Sequence, residues 1–185
     1  MDDRWSVRSI TRSLLPVLLV LTALELVGGL ALGSFEATLL DNPSLLVLVP
    51  VMIGTAGNLG SILSARLSTA FHLGTLSFDH DDETLVGNAI TTVLLGVTVY
   101  PVVGAGGWAL AALTGSTRLG LGTVVVIALA SGLVLVALVV AVSLSATYAA
   151  YRFELDPDDV VIPVVTNVSD VLGLLVLFGV VRMAV

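Results

Sequence analysis

The chain contains no cysteine, which excludes disulfide staples, cysteine-ligated zinc, iron–sulfur clusters and thiol catalysis. It contains no lysine either. Its seven basic residues are all arginines, set against fourteen acids, for a net charge of −7. With no basic patch, nucleic acid is excluded as a partner. The two histidines, His72 and His80, lie too far from any matching pair to form a zinc site. Charge of either sign is scarce: 11% of residues carry one, against about a quarter in soluble domains. Hydrophobic residues make up 57% and the mean hydropathy is +1.10. A water-soluble fold of 185 residues cannot hide that much apolar surface, so the surplus faces a lipid bilayer.

The acids gather between the apolar runs: Asp79, Asp81, Asp82 and Glu83, then Glu154, Asp156, Asp158 and Asp159. They read as solvated loop faces, as loops that attract divalent cations, or as a mark of a salt-rich cytosol, where lysine is poorly tolerated.

A helix needs about 20 apolar residues to cross the hydrocarbon core. Five runs of that kind stand between charges, at about residues 14–32, 45–63, 85–108, 121–147 and 160–181. Pro16, Pro101 and Pro163 fall within them, which membrane helices accept when neighbours satisfy the freed backbone groups. Tyr100-Pro101 followed by Gly104, Gly106 and Gly107 predicts a kink or break. Arg4, Arg8, Arg12, Arg66 and Arg152 fall on the N-terminal side of such a bundle, and Arg118 and Arg182 on the other. By the positive-inside rule the N-terminus is expected in the cytoplasm and the C-terminus outside. The first run is too long for a signal peptide, contains Glu25 and has no small-residue cleavage site in the right place. No appended soluble domain is expected, so residues 1–185 are read as one transmembrane domain.

An ionised carboxylate at the bilayer centre costs about 2.5–3.5 kcal/mol on insertion scales, so a buried acid asks for a partner or a function. Asp170 lies near the middle of the fifth run, with Pro163, Thr166, Asn167 and Gly173 at helical spacing on the same face. The second run carries a matching stripe of Gly54, Gly57, Asn58, Ser61, Ser64, Ala65 and Ser68. Such small residues serve tight packing, water lining or both. The stretch Gly54-Thr55-Ala56-Gly57-Asn58-Leu59-Gly60 is also expected to weaken the helix and expose carbonyls to a hard cation. In the first run, Glu25 sits with Thr22, Gly29 and Gly33, the last two forming a GxxxG pattern. Asn88, Thr91, Thr92 and Gly96 make a milder stripe on the third. His72 and His80 read as solvated residues.

A magnesium-like ion keeps several waters and is met by one or two carboxylates backed by amide, hydroxyl or carbonyl oxygens. Asp170 with Asn167, Thr166 and Asn58 supplies that set. Gly54, Gly57, Ser61, Pro163 and Gly173 are the expected lining of the path, and Glu25 the candidate coupling residue. One carboxylate cannot surround an ion. A two-fold dimer that brings two Asp170 side chains together around a cation is the economical arrangement.

Two motifs carry a family resemblance. Pro50-Val-Met-Ile-Gly-Thr-Ala-Gly-Asn-Leu-Gly-Ser61, followed by Arg66, resembles the second transmembrane helix of the MgtE magnesium transporter family. Its continuation Ser64-Ala-Arg-Leu-Ser-Thr-Ala70 looks closer to the family's eukaryotic solute-carrier relatives. Leu155-Asp-Pro-Asp-Asp-Val-Val-Ile-Pro-Val-Val-Thr-Asn-Val-Ser-Asp-Val-Leu-Gly173 is similar to the family's last helix, and Phe35-Glu36 also matches. The resemblance implies a five-helix domain that dimerises, with a cation path at the dimer interface lined by the second and fifth helices. It places the family's ion-binding aspartate on Asp170 and its Gly-Asn-x-Gly asparagine on Asn58. Two departures stand out. Ile62 replaces the glutamine usual in bacterial members, and nothing here resembles their magnesium-sensing cytoplasmic domains, so gating by those domains is not carried over.

The reading is an all-α, polytopic protein of the plasma membrane, a subunit of a divalent cation transporter or channel with magnesium as first candidate. No enzymatic activity and no cofactor are expected beyond the transported ion. The partners are the bilayer and a second five-helix unit, either the same chain or a paralogous half. The alternatives are an exchanger coupled to protons or sodium, and a non-conducting half of a heterodimer. An intramembrane serine protease using Ser61 or Ser64 with His72 is the rival from another class, and it lacks a GxSxG elbow.

Overall fold

The computed structural model describes residues 7–78, 81–115 and 117–184. Arg4, Asp79 and His80 lie outside them. The described residues form six helices and no strand: α1 (Val7–Gly33), α2 (Glu36–Asp41), α3 (Pro43–His72), α4 (Glu83–Leu113), α5 (Leu121–Arg152) and α6 (Pro157–Ala184). All but the short α2 include a stretch long and apolar enough to cross a membrane. Each helix outruns the apolar stretch that marks it, because propagating a formed helix costs little and only a cap stops it.

The stops are visible. Gly74, at φ +67°, ends α3. There the Thr75 N–H reaches the Ala70 carbonyl at 2.9 Å and the Gly74 N–H reaches that of Phe71 at 2.9 Å, a Schellman closure. The end of α5 repeats it with Glu154 at φ +55° in the glycine place, where the Leu155 N–H reaches the Ala150 carbonyl at 2.9 Å. Asp82 opens α4, its Oδ1 accepting from the N–H groups of Thr84 at 2.8 Å and Leu85 at 3.0 Å. The solvated reading of this acid is therefore corrected: Asp82 is a buried helix cap.

Helices α3 to α6 pack together, with α3 touching the other three, while α1 lies against α6. Leu48, Met52, Leu63, Tyr100, Leu135 and Phe178 fill the interior. Leu19, Val20 and Leu30 of α1, Val102 of α4 and Val126 of α5 point outward, each more than 60% exposed. Apolar side chains on the outside are what a lipid-facing surface requires.

Two local expectations are corrected. The Tyr100–Gly107 stretch does not break α4, which runs unbroken to Leu113. Tyr100 is fully buried with its ring against Gly132 of α5, and at Gly104 a side chain would meet the Val125 backbone at 2.8 Å. Close packing of α5 thus holds the helix where propensity is poor. Likewise α3 continues through residues 54–60, so the carbonyls there lie within a regular helix. In α1 it is Gly28, with Val171 Cγ2 3.2 Å from where its Cβ would be, that meets α6. Gly29 and Gly33 meet nothing within 4 Å, because they fall on other faces of the helix.

At one end of the bundle Phe35 stacks on Phe178 at 3.9 Å, Arg182 lies 4.8 Å over the Phe35 ring, and Arg118 pairs with Asp41 at 3.3 Å. At the other end Phe71 packs on Tyr151 and His72 approaches Asp156. Arg152 lines the cleft beside His72 there.

Candidate ion path

The seam between α3 and α6 brings together four of the residues singled out from the sequence. Gly57 of α3 is buried. A methyl group there would stand 3.4 Å from Thr166 Cγ2 and 3.6 Å from Asp170 Oδ1. One turn along, Ser61 Oγ lies 3.2 Å from Thr166 Oγ1, and the Thr166 hydroxyl donates to the Ile162 carbonyl at 2.8 Å. Asn167 stands beside them on α6, its Nδ2 donating to the Pro163 carbonyl at 2.9 Å. Ser61, Pro163, Thr166, Asn167 and Asp170 are all half-buried.

Asp170 receives no hydrogen bond from any described residue. The charged group that acts on it is another acid, Glu25 of α1, itself exposed on the flank of α6's neighbour. A half-buried carboxylate with no donor among the described residues and a like charge acting on it favours a cation beside it.

The remaining sequence candidates lie elsewhere. Asn58 and Gly54 are exposed on α3, and Gly54 has open space around it. Gly173 is buried, with Ile53 Cγ1 3.2 Å and Leu135 Cδ2 3.5 Å from where its Cβ would be. Its place is between packed helices, away from the Ser61–Thr166 contact.

At the His72 end, a contact that sequence reasoning missed ties α3 to the start of α6. The Ser68 hydroxyl donates to Asp158 Oδ1 at 2.6 Å. His72 Nδ1 lies 2.9 Å from the Ser68 carbonyl and its Nε2 lies 3.9 Å from Asp156 Oδ1. The His72, Asp156 and Asp158 ligand atoms all lie within 4.8 Å of one another, on exposed side chains. No local signal links residues 90 positions apart. The protease arrangement is absent among the described residues: Ser61 contacts Thr166, the Ser64 hydroxyl is buried without a partner, and the serine beside His72 has its proton on Asp158.

Among the described residues, five membrane-length helices and no strand, with a carboxylate midway along α6, define the chain as a multi-pass membrane protein. Residues 49–180 match the MgtE family, described as divalent cation transporters, and the chain belongs to that family. The family is one of transporters rather than enzymes, so its members need no enzymatic cofactor. Neither a curated protein nor a solved structure matches the chain.

Proposed function

We propose that the chain is one half of a dimeric magnesium path across the plasma membrane, with its N-terminus in the cytoplasm and Asp170 as the ion site. In this reading the whole chain is one transmembrane domain. The observation that carries the proposal is Asp170 itself, a half-buried carboxylate in a membrane-length helix with no donor from the described residues. A second copy laid on the α3–α6 seam would bring two Asp170 carboxylates to one hydrated ion and cover Gly54 and Asn58, which a single chain leaves exposed. Asn167, Thr166 and Asn58 supply the outer oxygens, while Ser61, Pro163, Gly57 and Gly54 form the wall. A potential of 100 mV contributes about 2.3 kcal/mol per charge, about twice that for a divalent ion, enough to drive inward flow without a coupling ion.

A second reading rests on Glu25. Its electrostatic influence on Asp170 allows a proton to move opposite to the ion, which makes the protein an exchanger. Collapse of flux when the proton gradient is removed at constant potential identifies exchange.

The test is reconstitution into liposomes loaded with a magnesium-sensitive dye. Asp170→Asn is expected to abolish uptake while the protein still inserts and dimerises. Unchanged uptake by Asp170→Asn overturns Asp170 as the ion site of this chain, and uptake restored only by a paralogous half assigns the chain to a heterodimer.

A further inference from the structure

Hydrogen bonds along the seam fix where the hydroxyl protons beside Asp170 go. A threonine hydroxyl has one proton, and that of Thr166 is held by the Ile162 carbonyl at 2.8 Å. In the 3.2 Å contact between Ser61 Oγ and Thr166 Oγ1 the serine must therefore donate. The Asn167 amide is turned with its NH2 on the Pro163 carbonyl at 2.9 Å, which leaves its oxygen free. Ser61 and Thr166 thus keep lone pairs with their hydroxyl protons directed into the protein, while Asn167 keeps its carbonyl oxygen and a second amide N–H.

We infer that the Ser61–Thr166 hydroxyl pair is a specificity-determining element that offers only hydrogen-bond acceptors to the ion's water shell, one helical turn from Asp170. The inference rests on the reading of Asp170 as the ion site. Waters bound to a cation present their hydrogens outward, so an acceptor-only wall fits an ion that keeps its shell and repels a hydrated anion. Magnesium gives up its waters reluctantly, whereas calcium prefers six to eight direct oxygen ligands. Hydroxyls whose protons are fixed, one on a helix carbonyl and one on its neighbour's oxygen, are poorly placed to regroup around a bare ion. The pair therefore favours the magnesium-like member of a mixture.

The probe is hexaamminecobalt(III), a trivalent ion of similar size whose ammine shell does not exchange and presents only N–H donors. Its block of magnesium uptake, and the ratio of magnesium to calcium uptake, are measured in liposomes for the full chain and for Ser61→Ala, Thr166→Val and Thr166→Ser. A lost hydrogen bond of ordinary strength corresponds to about a fivefold change. Ser61→Ala and Thr166→Val are expected each to weaken the block by about that factor and to lower the magnesium preference, while Thr166→Ser, which keeps the hydroxyl, stays within about twofold of the wild type. If Thr166→Val fails to fold, half-buried Ser61 still supplies the answer through its alanine variant. Block and preference unchanged in Ser61→Ala, with Asp170→Asn inactive in the same assay, overturn the hydroxyl pair and leave the ion site standing. Uptake that persists in Asp170→Asn overturns both.

Discussion

Two aspartates of this chain are shielded from solvent in opposite ways. Asp82, at the start of α4 and 8% exposed, is surrounded by donors. Its Oδ2 accepts from the Ser77 N–H at 2.7 Å and the Ser77 hydroxyl at 3.1 Å, and its Oδ1 from the Thr84 and Leu85 N–H groups. Asp170, in the middle of α6, receives none from the described residues and has Glu25 as its electrostatic neighbour. A carboxylate that builds the fold is neutralised by the fold. One that the fold leaves without donors keeps its attraction for something the protein does not contain, and in the function proposed above, for a member of a family of divalent cation transporters, that something is the cargo.

The comparison breaks first at Asp170. Two unit charges 4 Å apart interact by about 4 kcal/mol at an effective dielectric of 20, so losing one carboxylate against a divalent ion exceeds the ~2.8 kcal/mol that a hundredfold fall requires. Magnesium flux through Asp170→Asn should fall by about that factor or more, with thermal unfolding in detergent unchanged or slightly improved. A variant that unfolds instead would make Asp170 a structural acid like Asp82.

Asp82 should give the reverse. Asp82→Ala removes a helix cap, which costs about 1–2 kcal/mol, read as a lowered unfolding midpoint with unchanged flux per folded molecule. Its pH dependence has a definite sign. The Ser77 N–H first, then that of Leu85, hold the Asp82 carboxyl below its ordinary value of 3.8. A group depressed in the folded state stabilises fully above its unfolded value and loses that contribution as the pH falls through the folded one. The gap in unfolding midpoint between wild type and Asp82→Ala should therefore be constant above about pH 5 and close below 3.8. A gap that widens in acid would contradict the donor cage.

Gly57→Ala sharpens the contrast from the side of the neighbour. The added methyl would be in ordinary contact with Asp170 Oδ1 at 3.6 Å and Thr166 Cγ2 at 3.4 Å, so stability should change by less than about 0.5 kcal/mol. Flux should fall several-fold, because the methyl covers the oxygen an aquated ion would approach. Equal losses in stability and flux would make Gly57 a packing residue alone.

How much of this the sequence discloses depends on whether the signal is local. Five membrane helices follow from apolar runs between charges, and Asp170 stands out because a charge inside such a run is expensive wherever it falls. The Asp82 cap also has a local signature, an aspartate just before Glu83 and an apolar run, yet among neighbouring acids it reads as solvated. What the sequence conceals is decided by partners distant along the chain. Regular helix persists through residues 54–60 because Gly60 is packed against Val165 and Val139. Tyr100 gives no sign that its ring lies on Gly132, nor Ser68 that it reaches Asp158. The direction of the Ser61 and Thr166 protons needs coordinates altogether.

A third acid marks the small end of the scale. Glu154 makes no ion pair with a described residue and ends α5 in the left-handed region at φ +55°, where a side chain is strained and glycine is not. Gly74, at φ +67°, fills the equivalent place after α3. Glu154→Gly removes the strain but adds freedom to the unfolded chain, so a net gain of about 0.5–1 kcal/mol is expected, seen as a slightly raised unfolding midpoint. Because the position lies beyond the membrane-length helix, flux per folded molecule should hold. A loss of stability would mean that the Glu154 carboxylate has a structural role like that of Asp82, and a loss of flux with stability intact would give it a part in transport.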